Sequence, residues 1–116
     1  MQIDADRLLD AADEASGLLK SLAHRHRLLI VCQLVAGERC VGELAEFLGV
    51  RESTVSQHLA VLRRDGVVST RREAQTIWYS IASAPAQGVL EALYASFCAA
   101  GPSLTRKRRK ARKSAQ

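Results

Sequence analysis

Short hydrogen-bonding side chains and guanidinium groups are interspersed with apolar residues in the stretch Arg51–Gly66. At helical periodicity, Val55, Leu59 and Leu62 fall on one face of a helix. The opposite face carries Thr54, Ser56, Gln57, His58, Arg63 and Arg64. Hydroxyl, amide and imidazole groups in the first turns of a helix suit the major groove of DNA, where they meet base edges. The stretch therefore predicts a DNA-recognition helix, and the alternative is an ordinary amphipathic surface helix.

The ends of this helix, and the segment before it, predict a helix–turn–helix. Glu52 or Ser53 is expected to cap the N-terminus, and Gly66 is expected to end the helix. Residues 40–48 have apolar side chains at helical spacing, and Gly49 follows them. Two short helices joined through such a glycine form this motif.

Three other segments also have helical patterns. Residues 4–22 carry leucine and alanine at helical spacing, with acidic residues between them. Residues 24–36 are apolar almost all round, which predicts a central, buried helix. Ser83 and Pro85 open a last, strongly apolar helix, which residues 101–102 (Gly-Pro) are expected to end. So apolar a helix needs cover, and we expect the first helix of a second subunit to provide it.

After Gly66 the hydrophobic period changes to that of strands. The pattern predicts a hairpin of two strands, residues 67–71 and Thr76–Ile81, with residues 72–75 between them. A hairpin that directly follows a recognition helix is a wing. Its basic tip, with Arg71, Arg72 and Gln75, is expected to lie over the sugar-phosphate backbone or the minor groove. The alternative is a hairpin that only covers the core.

The charge of the chain is concentrated near its C-terminus. The 116 residues have a formal net charge of +5, and seven of the 17 Lys and Arg lie in Arg106–Lys113. The rest of the chain contains the remaining ten basic residues and all 12 acidic residues, so it is not a uniformly basic nucleic-acid binder. We predict one DNA-binding and dimerisation domain in residues 1–101 and a disordered basic tail in residues 102–116.

Several classes of protein are excluded by what the sequence lacks. No apolar run approaches the length of a membrane span, and the N-terminus has no signal-peptide pattern, so we expect a cytoplasmic protein without membrane contact. The sequence has no phosphate-binding glycine loop, no paired acids in an apolar setting and no Cys/His/Asp order typical of catalysis. We therefore predict neither an enzyme nor a cofactor.

The cysteines and histidines are the remaining reactive groups. Cys32, Cys40 and Cys98 of a cytoplasmic protein indicate free, redox-active or metal-binding thiols rather than structural disulfides. Cys40 alone is a weak metal candidate, because soft-metal sites take three or four convergent ligands. His24 and His26 are two residues apart at a helix start, so their rings are expected to point apart, as capping or surface residues. The sequence thus predicts no metal site.

The order of these elements and several short motifs resemble the ArsR-type (arsenic-repressor) winged helix–turn–helix family. The motifs are Leu22-Ala23-His24 with Arg27-Leu28, Val41-Gly42-Glu43-Leu44-Ala45, Ser56-Gln57-His58-Leu59 with Leu62-Arg63 and Gly66, and Trp78-Tyr79-Ser80-Ile81. The resemblance implies a mainly helical fold with a small β-hairpin. It also implies a homodimer formed by the first and last helices, which represses transcription from a two-fold operator in double-stranded DNA until an inducer binds.

The cysteine positions bear on the inducer. Metal-sensing members carry a Cys-x-Cys pair where this chain has Cys40-Val41-Gly42, so the second thiolate is missing. Cys32 and Cys98 resemble the dithiol pair of the sulfide- and persulfide-responsive branch, which includes the biofilm-growth repressors. The resemblance implies that reactive sulfur species persulfidate and bridge this pair. The alternatives are two inert buried cysteines and thiophilic metal or metalloid sensing through Cys40; otherwise Cys40 is a bystander.

The DNA contacts expected of this chain divide into two kinds. Ser56, Gln57 and His58 are expected to reach base edges, and Ser53 and Thr54 to contact phosphate or base. Phosphate contacts are expected from Arg63, Arg64, Arg71 and Arg72, with Gln75 beside them in the wing. A third possibility, a protein-interaction or RNA-associated module that binds through its basic tail, uses none of these residues.

Overall fold

The computed structural model describes residues 2–98, which form the predicted series of four helices, a hairpin and a fifth helix. The elements are α1 (Ala5–Leu22), α2 (Arg25–Ala36), α3 (Val41–Leu48), α4 (Glu52–Arg64), β1 (Val68–Glu73), β2 (Thr76–Ile81) and α5 (Ala84–Phe97). This order confirms the predicted winged helix–turn–helix.

The first two helices begin at side chains that satisfy free backbone N–H groups. The Asp4 carboxylate accepts hydrogen bonds from the N–H groups of Asp6 and Arg7, at 3.1 and 3.3 Å. At α2, Nδ1 of the His24 ring accepts from the N–H of His26 at 3.1 Å. His24 therefore lies outside the helix, with extended backbone angles of φ −150° and ψ 133°.

The turn between α3 and α4 depends on a glycine in the left-handed region. Gly49 has φ +71°, and its N–H donates to the carbonyl of Ala45 at 2.8 Å. The chain then extends through Arg51, whose carbonyl accepts from the N–H groups of Thr54 and Val55. The predicted capping by Glu52 or Ser53 is wrong, because helical geometry already starts at Glu52 and Arg51 is the N-cap, without a side-chain capping bond.

The C-terminus of α4 closes with a glycine, as predicted. Gly66 has φ +77° and donates to the carbonyl of Arg63 at 3.1 Å, while Val67 donates to the carbonyl of Leu62 at 2.9 Å. This pair of bonds is a Schellman motif, and the buried side chains of Leu62 and Val67 provide its hydrophobic contact. Because Val67 belongs to this closure, β1 starts at Val68 rather than at Val67.

The hairpin is longer and its turn tighter than the sequence predicts. Thr70 pairs with Tyr79, and the register continues to Glu73 opposite Thr76. The connection is therefore only Ala74–Gln75, and Ala74 has a positive φ of 57°. The predicted tip at residues 72–75 is wrong in its first half, because left-handed Ala74 reverses the chain within two residues and leaves Arg72 and Glu73 in the strand.

One continuous core joins all the helices and the start of β1. Its buried residues are Leu22, Ile30, Val31, Leu34, Leu44, Ala45, Val55, Leu59, Leu62, Val67, Val68, Ala86 and Leu90. The prediction that α2 is a central, buried helix is only partly right: α2 contacts the four other helices and β2, but one of its sides is exposed. Ile30, Val31 and Leu34 face the core, whereas Cys32 and Val35 lie on the exposed side.

Large apolar side chains remain exposed on the first and last helices. Leu9 of α1 is 74% exposed, and Tyr94 and Phe97 of α5 are 60% and 76% exposed. The predicted end of the last helix and the basic tail lie outside the described residues. Within residues 2–98, no helix is long and apolar enough to cross a membrane.

Candidate nucleic-acid interface

The buried side of α4 fixes which of its side chains face outward. Val55, Leu59 and Leu62 are buried in the core, as their spacing predicts. Ser53, Ser56 and Gln57 are therefore exposed on the opposite side, and Thr54 is half-buried. A rigid helix thus presents two hydroxyl groups and an amide from its first two turns, the arrangement suited to base edges.

His58 is placed differently from the other predicted base contacts. Its ring is half-buried and lies against two imidazoles at the start of α2, with centroids 4.5 Å from His24 and 5.5 Å from His26. Burial lowers the pKa of His58, and the positive charge of nearby groups, including Arg27, lowers it further. The neutral ring is therefore favoured, and it faces α2 rather than standing free on the α4 surface.

The expectation that the rings of His24 and His26 point apart is wrong. Their centroids are 5.5 Å apart, and both rings approach His58. The spacing rule applies to two helical positions, but His24 is the extended N-cap of α2. All three histidines of the chain are thereby brought together. Sequence reasoning missed this cluster, and the available signal was that α2 and α4 both pack in the core of this fold.

The four predicted phosphate-binding arginines fall into two pairs. Arg63 and Arg72 are exposed and have no ion pair within residues 2–98. Arg64 pairs with Asp65, with Nε 3.0 Å from Oδ1. Arg71 pairs with Glu38, with Nε 2.8 Å from Oε2, and more distantly with Glu73 at 3.4 Å. Two guanidinium groups are thus free for phosphate, and two must leave or share a carboxylate.

The carboxylates that hold Arg64 and Arg71 were not predicted from the sequence. Hydrogen bonds from Arg71 lower the pKa of Glu38. Hydrogen bonds from Arg64, then from the Ser21 hydroxyl at 2.6 Å, lower the pKa of Asp65. Asp65 thereby ties the end of α4 to the end of α1. The Glu38–Arg71 pair joins residues that are 33 positions apart in the sequence, so no local sequence pattern predicts it.

A shallow groove connects the recognition helix with the wing. It is lined by Ser56 of α4, by Cys40 at the start of α3, and by Gln75 and Tyr79 of the hairpin. Backbone hydrogen bonds between Arg39 and Tyr79, at 2.9 and 3.1 Å, hold the hairpin beside the α3 N-terminus. Ser56 and Gln75 thus share one concave surface, although they come from different elements.

The thiols occupy two separate places, and all three are free. Cys40 is the N-cap of α3, where its backbone N–H donates to the Glu43 carboxylate at 3.1 Å. Cys32 lies on the exposed side of α2, and the half-buried Cys98 is the C-cap of α5. Partial burial of its thiol raises the pKa of Cys32, and the charge of Cys98 raises it further. Cys32 and Cys98 are therefore electrostatic neighbours across the α2–α5 contact.

Comparisons with known proteins agree with this architecture. Residues 24–70 match the family described as bacterial regulatory protein, arsR family. The chain is 52% identical over 88 residues to the biofilm growth-associated repressor of Agrobacterium fabrum, covering 76% of this chain and 75% of that protein.

Solved structures give the same result. The crystal structure of the transcriptional repressor BigR from Xylella fastidiosa superposes with a TM-score of 0.79 at 43% identity, over 84% of this chain and 99% of that one. A Mycobacterium bovis domain described as a homodimeric winged helix–turn–helix DNA-binding domain gives 0.68 at 30% identity, over 83% and 89%. The chain therefore belongs to the arsR family of bacterial regulatory proteins, the winged helix–turn–helix DNA-binding transcriptional repressors.

Proposed function

We propose that this protein is a homodimeric repressor that leaves its operator when reactive sulfur species persulfidate and bridge Cys32 and Cys98. The observation that carries the proposal is that both thiols are free, on elements that contact each other, and that the charge of Cys98 raises the pKa of Cys32. The dimer part is supported by the exposed apolar side chains of α1 and α5 and by the homodimeric M. bovis domain. When these apolar faces pack against those of a second copy of the chain, their exposed apolar surface is removed from water.

The DNA-binding part assigns base edges to Ser56 and Gln57 and the phosphate backbone to Arg63 and Arg72. These four side chains are exposed on α4 and on the hairpin. Ser53 and Thr54 lie at the helix start, where free N–H groups also favour a phosphate. Arg64, Arg71 and Gln75 extend the contact along the backbone, with Arg64 and Arg71 exchanging a carboxylate for phosphate on binding. His58 contacts a base only if its ring turns away from α2.

The sensing step is thiol exchange with a low-molecular-weight persulfide. A protein thiolate attacks the outer sulfur of the persulfide, which transfers that sulfur to the cysteine and releases the small thiol. When both cysteines carry an added sulfur, they condense to a trisulfide and release hydrogen sulfide, which conserves every sulfur and hydrogen. When only one carries it, attack by the second thiol gives a disulfide and hydrogen sulfide. A trisulfide spans a longer gap than a disulfide, which needs Cα atoms within about 7 Å.

The bridge acts on DNA binding through the helices that it joins. Cys98 ends α5, which carries exposed apolar residues of the proposed dimer interface, and Cys32 lies on α2, which packs against α4. A covalent link between α2 and α5 changes how the dimer helix sits on the core. The two recognition helices of a dimer must stay about one DNA turn, 34–36 Å, apart, so a changed dimer angle lowers operator affinity.

Intact-protein mass spectrometry after treatment with glutathione persulfide tests the chemistry. We expect a product that has gained one sulfur and lost two hydrogens, with Cys32 and Cys98 in one crosslinked peptide. Cys40→Ser is the matched control and should give the same product, whereas Cys32→Ser and Cys98→Ser should not. Hydrogen peroxide and arsenite are run in parallel. An arsenic adduct with no crosslink would instead favour metalloid sensing.

A further inference from the structure

The three histidines of the chain meet between the start of α2 and the middle of α4. Their candidate ligand atoms all lie within 4.8 Å of one another, one from each of His24, His26 and His58. We propose that these three imidazoles bind one divalent late first-row transition metal ion, with Zn²⁺ as the probe. The site is separate from the thiol pair and from the exposed DNA-binding side chains, so it goes beyond the proposed function.

The candidate ligand atoms lie somewhat farther apart than they would around a bound metal ion. Zn–N bonds of about 2.0–2.1 Å place tetrahedral ligand nitrogens about 3.4 Å apart. The present separations of up to 4.8 Å must therefore shorten when an ion binds. His24 is exposed and the other two rings are half-buried, so an ion can enter from the His24 side. A fourth position is left for water, as in three-histidine zinc sites.

The ring nitrogens of His26 and His58 are available for coordination. Neither side chain makes a hydrogen bond within residues 2–98, and the two rings meet each other and His24 in tilted or edge-on arrangements. Imidazole is a favoured ligand of Zn²⁺, Ni²⁺ and Cu²⁺, and three of them, from the N-cap of α2, from α2 and from α4, form a chelate rather than independent surface sites. Arg27 lies close enough to influence His58, so its positive charge opposes a cation and limits the affinity.

His24 must exchange one bond for another when the metal binds. Its Nδ1 now accepts the N–H of His26, so in a neutral ring the proton is on Nε2. Ligation through Nδ1 uses that lone pair directly, and ligation through Nε2 moves the proton to Nδ1. Either way the capping bond at 3.1 Å is lost, and the His26 N–H is released. A loaded site thus has a backbone signature that adventitious surface binding lacks.

Nuclear magnetic resonance of tag-free, reduced protein with ¹³C-labelled histidine and ¹⁵N-labelled backbone tests the site. The chain gives only three histidine ring signals. On titration with Zn²⁺ we expect all three to shift together and to saturate at one ion per chain. The His26 amide signal should move with them, because its hydrogen bond is lost.

His24→Asn is the sharpest variant, since asparagine is a good N-cap and keeps the helix start while it removes the imidazole. Loss of an outer-shell partner lowers metal affinity by about 10–100-fold. Because His24→Asn removes a direct ligand, we expect a larger fall in zinc affinity. Cys40→Ser is the matched control and should leave the titration unchanged. The proposal is overturned if the ring signals stay fixed, if they shift at different zinc concentrations, or if His24→Asn binds as tightly as the parent. Each of these results assigns the histidines to capping and packing alone.

Discussion

Replacing Gln57 with alanine separates sequence reading from general DNA affinity. The Gln57 amide is exposed on α4 and makes no hydrogen bond within residues 2–98, so its removal leaves no buried group unsatisfied. We expect the free energy of unfolding to change by less than about 0.5 kcal/mol. An amide that reads a base edge contributes about 1–3 kcal/mol of discrimination. That loss lowers the preference for operator over random DNA by about 5- to 140-fold per half-site.

Arg72→Ala is the counterpart for the phosphate backbone. Arg72 is exposed on β1 and has no ion pair within the described chain, so its guanidinium is free to meet phosphate. We expect weaker binding to every duplex with an unchanged preference. The slope of log K against log salt should become shallower by about 0.9 for each protomer that loses the contact.

Fluorescence anisotropy at several salt concentrations measures both effects. The specific duplex is one that the reduced protein selects from a random library, and a scrambled duplex of the same composition is the reference. Gln57→Ala should lose affinity mainly for the selected duplex, and Arg72→Ala for both. Equal losses for the two variants on both duplexes would refute the assignment of base and backbone contacts.

Three further predictions concern the thiol and the fold. Because burial and the charge of Cys98 raise the pKa of Cys32, less thiolate is present at neutral pH, so iodoacetamide should alkylate Cys32 more slowly than a free thiol until the pH exceeds the raised pKa of Cys32. Cys98→Ser should shift that pH–rate profile to lower pH, and an unchanged profile would exclude the proximity of Cys32 and Cys98. Leu62→Ala empties a fully buried position and should cost about 2–5 kcal/mol in urea unfolding at fixed protein concentration. Ala74→Gly should stabilise the hairpin by about 0.5–1 kcal/mol, because Ala74 has φ +57°; a destabilised variant would contradict that strain.

Hydrophobic periodicity was enough to predict the helices and the wing. Val55, Leu59 and Leu62 occur at helical spacing, and the same three residues are buried. Gly49 and Gly66 were readable as helix ends because few other residues adopt a positive φ. Local patterns were sufficient here, since each element depends on residues close to it in sequence.

The features that the sequence did not predict depend on contacts between distant segments or on local backbone conformation. Glu38 meets Arg71 only because the hairpin folds back on the connection between α2 and α3. The histidine cluster needs both the packing of α2 on α4 and the extended conformation of His24. The two-residue turn at Ala74 was missed because alanine gives no sign that it will adopt a left-handed conformation.

Release from DNA by a persulfide is the most direct test of the proposed sensing mechanism. The reduced protein is bound to its selected duplex, glutathione persulfide is added, and anisotropy is followed before and after a thiol reductant. We predict loss of binding that the reductant reverses in the parent and in Cys40→Ser, and retained binding in Cys32→Ser and Cys98→Ser. Release that persists in both of the latter variants would contradict the assignment of Cys32 and Cys98 as the sensor.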